Sequence, residues 1–302
     1  DAWATFAITW VGGCHVIAED FKPERVLETM EKERVTITNM IPTMINMLVN
    51  TPGVEGHDFS ALRVLLSGGA PIAPEVVRKV MDTFKCDYVQ TYGMTETSPY
   101  LTLSILKENL LRLPPEEQFT FKAKTGRPFL GVQLKVVRED GSEVEPDDRE
   151  VGEIIVRGDT VTRGYWKRPE ETAKSIKDGW LHTGDMATID PEGYVNIVDR
   201  KKDVIITGGE NVYSVEVENV LYSHPSLLEA AVIGIPDPKW GEAVKAVVVP
   251  KPGHSVTEEE LIQYCKERIA RYKAPKSVDF VGELPKTGSG KIYKKALRDR
   301  YR

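Results

Sequence analysis

Between residues 23 and 92 the chain alternates helix-like and strand-like segments, and this constrains its fold more than any other feature. Pro23 opens a helical segment to about residue 34, with Val26, Leu27 and Met30 on one face. Residues 35–38 read as a strand, 42–50 as a helix and 62–66 as a strand running into Ser67-Gly68-Gly69. Pro74 opens a helix to about residue 84, and residues 88–90 form the next strand. Strands separated by helices of this length predict a parallel sheet with crossover helices. In such a sheet, ligands bind beyond the strand C-termini, which places residues 67–71 and 91–98 at a candidate site.

From about 125 to 200 the texture changes to short β-rich runs between Gly, Asp and Pro turns, as expected of a small barrel or sheet subdomain. After Arg200 the pattern becomes a compact α+β unit. It has a helix near 214–223, strands near 229–235 and 243–249, a helix near 257–271, a strand near 277–281 and a last helix from about 292. The charged run Asp199-Arg200-Lys201-Lys202-Asp203 marks the boundary. The expected division is therefore 1–201, with about 1–120 α/β and about 121–201 β-rich, followed by a C-terminal domain at 202–302.

At roughly 100–200 residues per domain, 302 residues fit one large and one small domain. A formal net charge of -6 argues against nucleic-acid binding as a main role. Three scattered cysteines, Cys14, Cys86 and Cys265, make neither a metal spacing nor a disulfide framework, so a reducing, cytoplasmic setting is expected. No apolar run approaches the roughly 18 residues of a membrane span, and no signal peptide is visible. The opening Asp1-Ala2-Trp3, without methionine and inside an apolar stretch, reads as the middle of a fold, so an N-terminal part is expected to be absent.

Four segments carry candidate chemistry. Thr91-Tyr92-Gly93-Met94-Thr95-Glu96-Thr97 joins an aromatic ring, a hydroxyl and a carboxylate in a loop after a strand. A hydroxyl can donate to phosphate, and a carboxylate can hold Mg2+ that bridges phosphates. Trp180-Leu181-His182-Thr183-Gly184-Asp185 places a carboxylate after a glycine turn, where it could accept two ribose hydroxyls. Pro285-Lys286-Thr287-Gly288-Ser289-Gly290-Lys291 presents a lysine on a glycine-rich turn. It is not a Walker A loop, because Pro285 replaces the first glycine and Ile292 follows the lysine. Thr207-Gly208-Gly209-Glu210-Asn211 permits close backbone approach to a thin ligand. Taken singly, each segment is read more simply as a surface turn.

Their order and spacing are far more specific. In chain order, Ser67-Gly68-Gly69-Ala70-Pro71, Tyr92-Gly93-Met94-Thr95-Glu96, Gly152-Glu153-Ile154, Gly164-Tyr165-Trp166, Thr183-Gly184-Asp185, Asp199-Arg200-Lys201-Lys202-Asp203 and Pro285-Lys286-Thr287-Gly288-Ser289-Gly290-Lys291 make the chain resemble the acyl-adenylate-forming (AMP-binding) superfamily over essentially its whole length. That superfamily includes acyl-CoA synthetases, aryl-CoA ligases, firefly luciferase and peptide-synthetase adenylation domains. The resemblance implies an ATP-dependent acid–thiol ligase with ATP, Mg2+, CoA and a small carboxylic acid as its partners, with a homodimer as one assembly. It implies that Gly69, Ala70 and Tyr92 line the adenine site, that Thr95 contacts phosphate and that Glu96 holds Mg2+. Asp185 would bind the ribose and Arg200 the ribose or phosphate. Lys202 would be a hinge, Lys291 the catalytic lysine, and Gly208 and Gly209 the lining of a pantetheine tunnel.

The superfamily's Gly/Ser/Thr-rich phosphate loop is not found in these residues, and its histidine before the acyl pocket would fall just before Asp1. The chain alone is therefore expected to form little acyl-adenylate. The long stretch between Glu96 and Gly126 is most similar to medium- and long-chain fatty acyl-CoA synthetases and methylmercaptopropionate-CoA ligases, with Trp3 at the acyl tunnel or simply in the core. The alternatives are a ligase for a short, aromatic or sulfur-containing acid, and a non-catalytic nucleotide- or CoA-binding remnant.

Overall fold

A computed structural model of the chain describes residues 2–288 and 290–301, with side chains from residue 4 onward. Trp3 lies within the first helix, and its side chain is outside the described set.

The first layer comprises α1 (Ala2–Trp10), α2 (Pro23–Lys32), β1 (Ile37–Met40), α3 (Pro42–Val49), β2 (Val64–Gly68), α4 (Pro74–Phe84), β3 (Asp87–Gly93), β4 (Tyr100–Leu103), α5 (Pro115–Lys122) and β5 (Arg127–Pro128). Proline occupies the start of α2, α3, α4 and α5, where its missing N–H leaves no helical bond unmade. In α4, Val76, Val77, Val80 and Phe84 recur at helical spacing and are buried against the sheet. The five strands run in spatial order β1-β2-β3-β4-β5.

Only β1, β2 and β3 are parallel, whereas β4 and β5 add antiparallel strands at one edge. The parallel strands expected between residues 23 and 92 are present as β1–β3, and the antiparallel β4 and β5 lie beyond that range. The turn through Ser98 and Pro99 reverses the chain within a few residues, too short for the dozen or so that a parallel crossover needs.

The second layer is a β-rich sheet made of β6 (Val132–Val137), β7 (Gly152–Gly158), α6 (Pro169–Ser175), β8 (Ile176–Lys177), β9 (Trp180–Ile189) and β10 (Val195–Arg200). Its strands pair antiparallel in the order β10-β9-β7-β6, with β8 on β9.

The third unit comprises β11 (Ile205–Thr207), β12 (Glu210–Val212), α7 (Ser214–Tyr222), β13 (Leu227–Asp237), β14 (Gly241–Pro250), α8 (Glu258–Lys266), β15 (Ser277–Phe280) and α9 (Lys294–Arg300). The central strands β13 and β14 read as nearly continuous apolar runs because both faces are covered. Ala230, Val232, Val244, Ala246 and Val248 face one core, while Ala231, Ile233, Val247 and Val249 face the other. Helix α8 begins with a reciprocal cap in which Thr257 and Glu260 each accept the other's backbone N–H. It stops at Lys266, short of the expected 271, and continues as turns. No strand pairing among the described residues crosses from β10 to β11, and residues 200–204 make a tight turn between the second and third sheets. No described helix is long and apolar enough to cross a membrane.

Candidate active site

A cavity of about 580 Å³ lies where the three sheets meet. Nine of the residues singled out in the sequence line it: Gly69, Ala70, Tyr92, Thr95, Glu96, Asp185, Arg200, Lys202 and Lys291. Gly69 and Ala70 follow β2, Tyr92 is near the C-terminal end of β3, and Thr95 and Glu96 follow it, at the end of parallel strands where open α/β sheets place their ligands.

The strands that supply the site break register where they do so. Between β7 and β9 the pairing shifts between Glu153 and Ile155, so β9 carries extra residues around Gly184. Gly184 has φ +74, and Asp185 follows it. The pairing of β10 with β9 also shifts just before Asp199 and Arg200. A bulge bends the strand and re-aims the side chain that follows. Residues 180–185, expected as a turn, are therefore a strand with an irregularity next to Asp185. A local Thr-Gly-Asp signature cannot tell the two apart.

Asp185 is 6 % exposed. The Tyr92 hydroxyl donates to its Oδ2 at 2.6 Å, and Arg200 Nε lies 3.4 Å from Oδ1. Burial pushes the Asp185 carboxyl above the usual range, opposed by Tyr92, Arg200 and Lys202. Burial first, and the charge of Asp185 second, hold the Tyr92 phenol protonated. The result is a desolvated carboxylate beside a fixed donor and a cation, suited to accepting hydroxyls in a dry site.

Glu96 sits in a short 3-10 turn after β3. Tyr165 donates its hydroxyl to Glu96 Oε1 at 3.0 Å, and Thr162 N donates to the Glu96 carbonyl at 2.7 Å. Tyr165 was read in the sequence as part of a motif but given no role, and its partner is 69 residues away. The loop bearing Ala70 is held from below, since Gln90 Nε2 donates to the Ala70 carbonyl at 3.1 Å.

Lys291 enters from the third unit. Its loop is closed at the base by pairing of Lys286 with Ile292, and Lys286 makes an ion pair with Glu229 at 3.0 Å. Within the loop, Thr287 N donates to the Lys291 carbonyl and Gly290 N donates to the Thr287 carbonyl, each at 2.8 Å. The Lys291 side chain lies against Gly69, whose φ is +86. A Cβ at that position would fall 2.8 Å from Lys291 Cε and 3.0 Å from Nζ, so glycine leaves the path open. Burial, and then the charge of Arg200, depress the Lys291 ammonium below the usual lysine range. Among the described residues no carboxylate pairs with it.

Gly208 and Gly209 are not in this cavity. They form the exposed tip between β11 and β12, with Gly208 N donating to the Trp240 carbonyl at 2.8 Å. Asp199, which had served only to mark the boundary, is buried at the junction. It accepts Ser214 N, at the start of α7, at 2.5 Å and Arg200 N at 2.8 Å. A carboxylate at a helix N-terminus is favoured by the helix dipole.

The cavity is walled by residues of the first two sheets and closed by a lysine from the third, α+β unit. The chain belongs to the AMP-binding enzyme family: residues 2–166 match the family model "AMP-binding enzyme", and residues 216–291 match "AMP-binding enzyme C-terminal domain". Feruloyl-CoA synthase of Amycolatopsis sp is 43% identical over 290 residues, covering 96% of this chain and 57% of that protein. A 4-hydroxybutyrate–CoA ligase of Metallosphaera sedula is 39% identical over 301 residues, covering 99% and 53%. The chain thus spans a little over half the length of the curated relatives it matches. Among solved structures, ATP-bound MatB from Rhodopseudomonas palustris superimposes with TM-score 0.86 at 33% identity, and apo MatB with 0.72 at the same identity. In both, the match covers 99% of this chain and 57% of the other.

Proposed function

We propose that the protein of which this chain forms a part is an AMP-forming acyl-CoA ligase. The carrying observation is that nine residues, scattered from 69 to 291, converge on one cavity in a chain of this family. In the first step a carboxylate oxygen of the acid attacks the α-phosphorus of ATP, and the bond to pyrophosphate breaks. In the second, the sulfur of CoA attacks the acyl carbon and AMP leaves.

Asp185, fixed by Tyr92 and Arg200, binds the ribose hydroxyls, while Gly69 and Ala70 flank the base. Thr95 donates to phosphate. Lys291 lies where the acid and the α-phosphate bring negative charge together. An ammonium in a partly dry site contributes most at the transition state. Glu96 is a hard oxygen donor held by Tyr165, and no cluster of three or more His, Cys, Asp or Glu among the described residues could cage a metal. That suits Mg2+ held by one carboxylate together with phosphates and water, where it would neutralise phosphate charge.

Residues 202–302 are the mobile domain in this reading, turning about Lys202. The better superposition on ATP-bound than on apo MatB supports an adenylation arrangement here, with Lys291 in the cavity and Gly208 and Gly209 turned away from it. Rotation between the steps would exchange these two faces.

For the acid, the resemblance of the stretch between Glu96 and Gly126 to medium- and long-chain fatty acyl-CoA synthetases favours a medium- or long-chain aliphatic substrate. The identity to a feruloyl-CoA synthase favours a second reading, an aromatic acid. The test is pyrophosphate release by the complete protein across straight-chain, short, sulfur-containing and hydroxycinnamic acids. Turnover greatest with C8–C16 acids supports the first reading, and turnover greatest with ferulate supports the second. No release with any acid, together with retained nucleotide binding, would leave a non-catalytic binding protein.

A further inference from the structure

Helix α3 touches the small domain at two polar points, and neither side chain has a part in the chemistry described above. Thr43 Oγ1 donates to the Gly290 carbonyl at 2.9 Å. Gly290 is the residue immediately before Lys291. Asn46, 8 % exposed, donates from Nδ2 to the Leu228 carbonyl at 2.6 Å. Residue 41, which precedes the helix, closes on the same loop. A Cβ at Gly290 would lie 2.8 Å from Ile41 Cδ1.

The Asn46 donor is oriented by a relay with one possible polarity. Lys79 Nζ, which can only donate, lies 2.7 Å from Asn50 Oδ1. Asn50 therefore presents Nδ2 to Asn46, donating to Oδ1 at 3.0 Å and to the carbonyl at 2.7 Å. With its Oδ1 so engaged, Asn46 turns its amide donors toward Leu228. A lysine on α4 thus sets the direction of a hydrogen bond across the domain junction.

We propose that α3 is the docking latch of the small domain, and that Thr43 and Asn46 are positioning residues that hold Lys291 in the cavity. The two partners are 247 and 182 residues distant in sequence, so these bonds exist only while the domains are docked as here. They stabilise the arrangement that presents Lys291 and contribute nothing once the small domain has turned away. The consequence for catalysis rests on the ligase reading above, but the docking role does not.

The test separates the two. In the 302-residue chain, Cys14 is replaced by Ser and spin labels are placed at Lys32 and Glu283, whose side chains are 82% and 79% exposed. Pulsed EPR then measures the docked and released populations. Loss of one neutral hydrogen bond shifts such a balance roughly two- to tenfold. T43V and N46L should each lower the docked-to-released ratio by that factor, the double variant by roughly the product, and T43S should restore it. An unchanged distribution in the folded double variant overturns the latch, as does a T43S shift equal to that of T43V.

In the complete protein, T43V should slow adenylation in proportion to the measured loss of docked population and spare thioester formation from supplied adenylate. A shifted distribution with unchanged adenylation would keep the latch and remove Lys291 from the first step. Equal slowing of both steps would mean that Thr43 is structural and would overturn its positioning role.

Discussion

Asp185 and Lys291 face the same cavity from structures of opposite character. Asp185 lies on an interior strand of a five-stranded sheet, is buried, and is fixed by a tyrosine and an arginine. Lys291 lies on a loop of the other domain, half-buried, with no carboxylate partner among the described residues. A group on an interior strand keeps its place whichever way the small unit stands. A group on a loop that enters through a domain junction can be present for one step and gone for the next. On the proposed ligase reading, the difference would give Asp185 a part in both half-reactions and Lys291 a part in one.

The largest expected effect tests that asymmetry directly. In the complete protein, K291A should lower adenylation by about 10²–10³, the usual loss when one charge-stabilising donor is removed. Thioester formation from synthetic acyl-adenylate should be largely spared. Pyrophosphate exchange and CoA-ester formation on one variant provide the two readings. Equal losses would make Lys291 a structural residue and erase the contrast with Asp185.

Smaller and symmetric losses are expected from D185N. Hydrogen bonds to a charged group contribute about 1.5–3 kcal/mol, so both half-reactions should weaken roughly ten- to a hundredfold. Unliganded stability should move the other way. Burial raises the folded-state pKa of Asp185, so the folded protein binds this proton more tightly than the unfolded chain does. Its contribution to stability is therefore greatest at low pH. It declines as pH rises from the unfolded value near 3.8 through the raised folded one. At neutral pH, D185N should melt no lower than the parent. A clearly lower melting temperature would show that the ionised carboxylate is a structural anchor and not a binding group kept at a cost.

The same contrast explains what could be read in the sequence. Helix α4 was legible to the residue, because Pro74 starts it and four apolar residues recur at its period. Nine residues named through the order of the motifs line one cavity, whereas Gly208 and Gly209 lie outside it, and the geometry of the nine was not legible. Asp185 was expected after a turn, because a Gly-Asp pair carries the same local signal in a turn and in a bulged strand. Strand β4 was passed over, because its pairing is made by a reversal at Pro99 and not by any periodicity. Thr43 and Asn46 gave no signal at all. On an isolated helix they look like solvated polar residues, and only the arrival of a chain 182–247 residues later gives them partners. Local chemistry can be read from local sequence, whereas a junction depends on the positions of two surfaces.

The smallest effect is a pH dependence, and it sharpens the comparison most finely. Lys291 must carry its charge to assist the first step. Burial in the cavity, and then Arg200 beside it, lower its pKa from the ordinary 10.5. As pH rises through that depressed value the ammonium is lost, so adenylation should fall on its alkaline side earlier than an exposed lysine would allow. The slope of that alkaline side is the informative part. K291R should move this limb upward, since a guanidinium stays protonated throughout the range, although its shape limits the maximal rate. Thioester formation should show no such limb, because Lys291 has left the cavity by then. The measurement is the pH–rate profile of each half-reaction for the parent and K291R from neutral to mildly alkaline pH. An alkaline limb shared by both half-reactions, or one that K291R leaves in place, would belong to the substrate thiol or to another group. The lysine would then be a fixed part of the site, as Asp185 is.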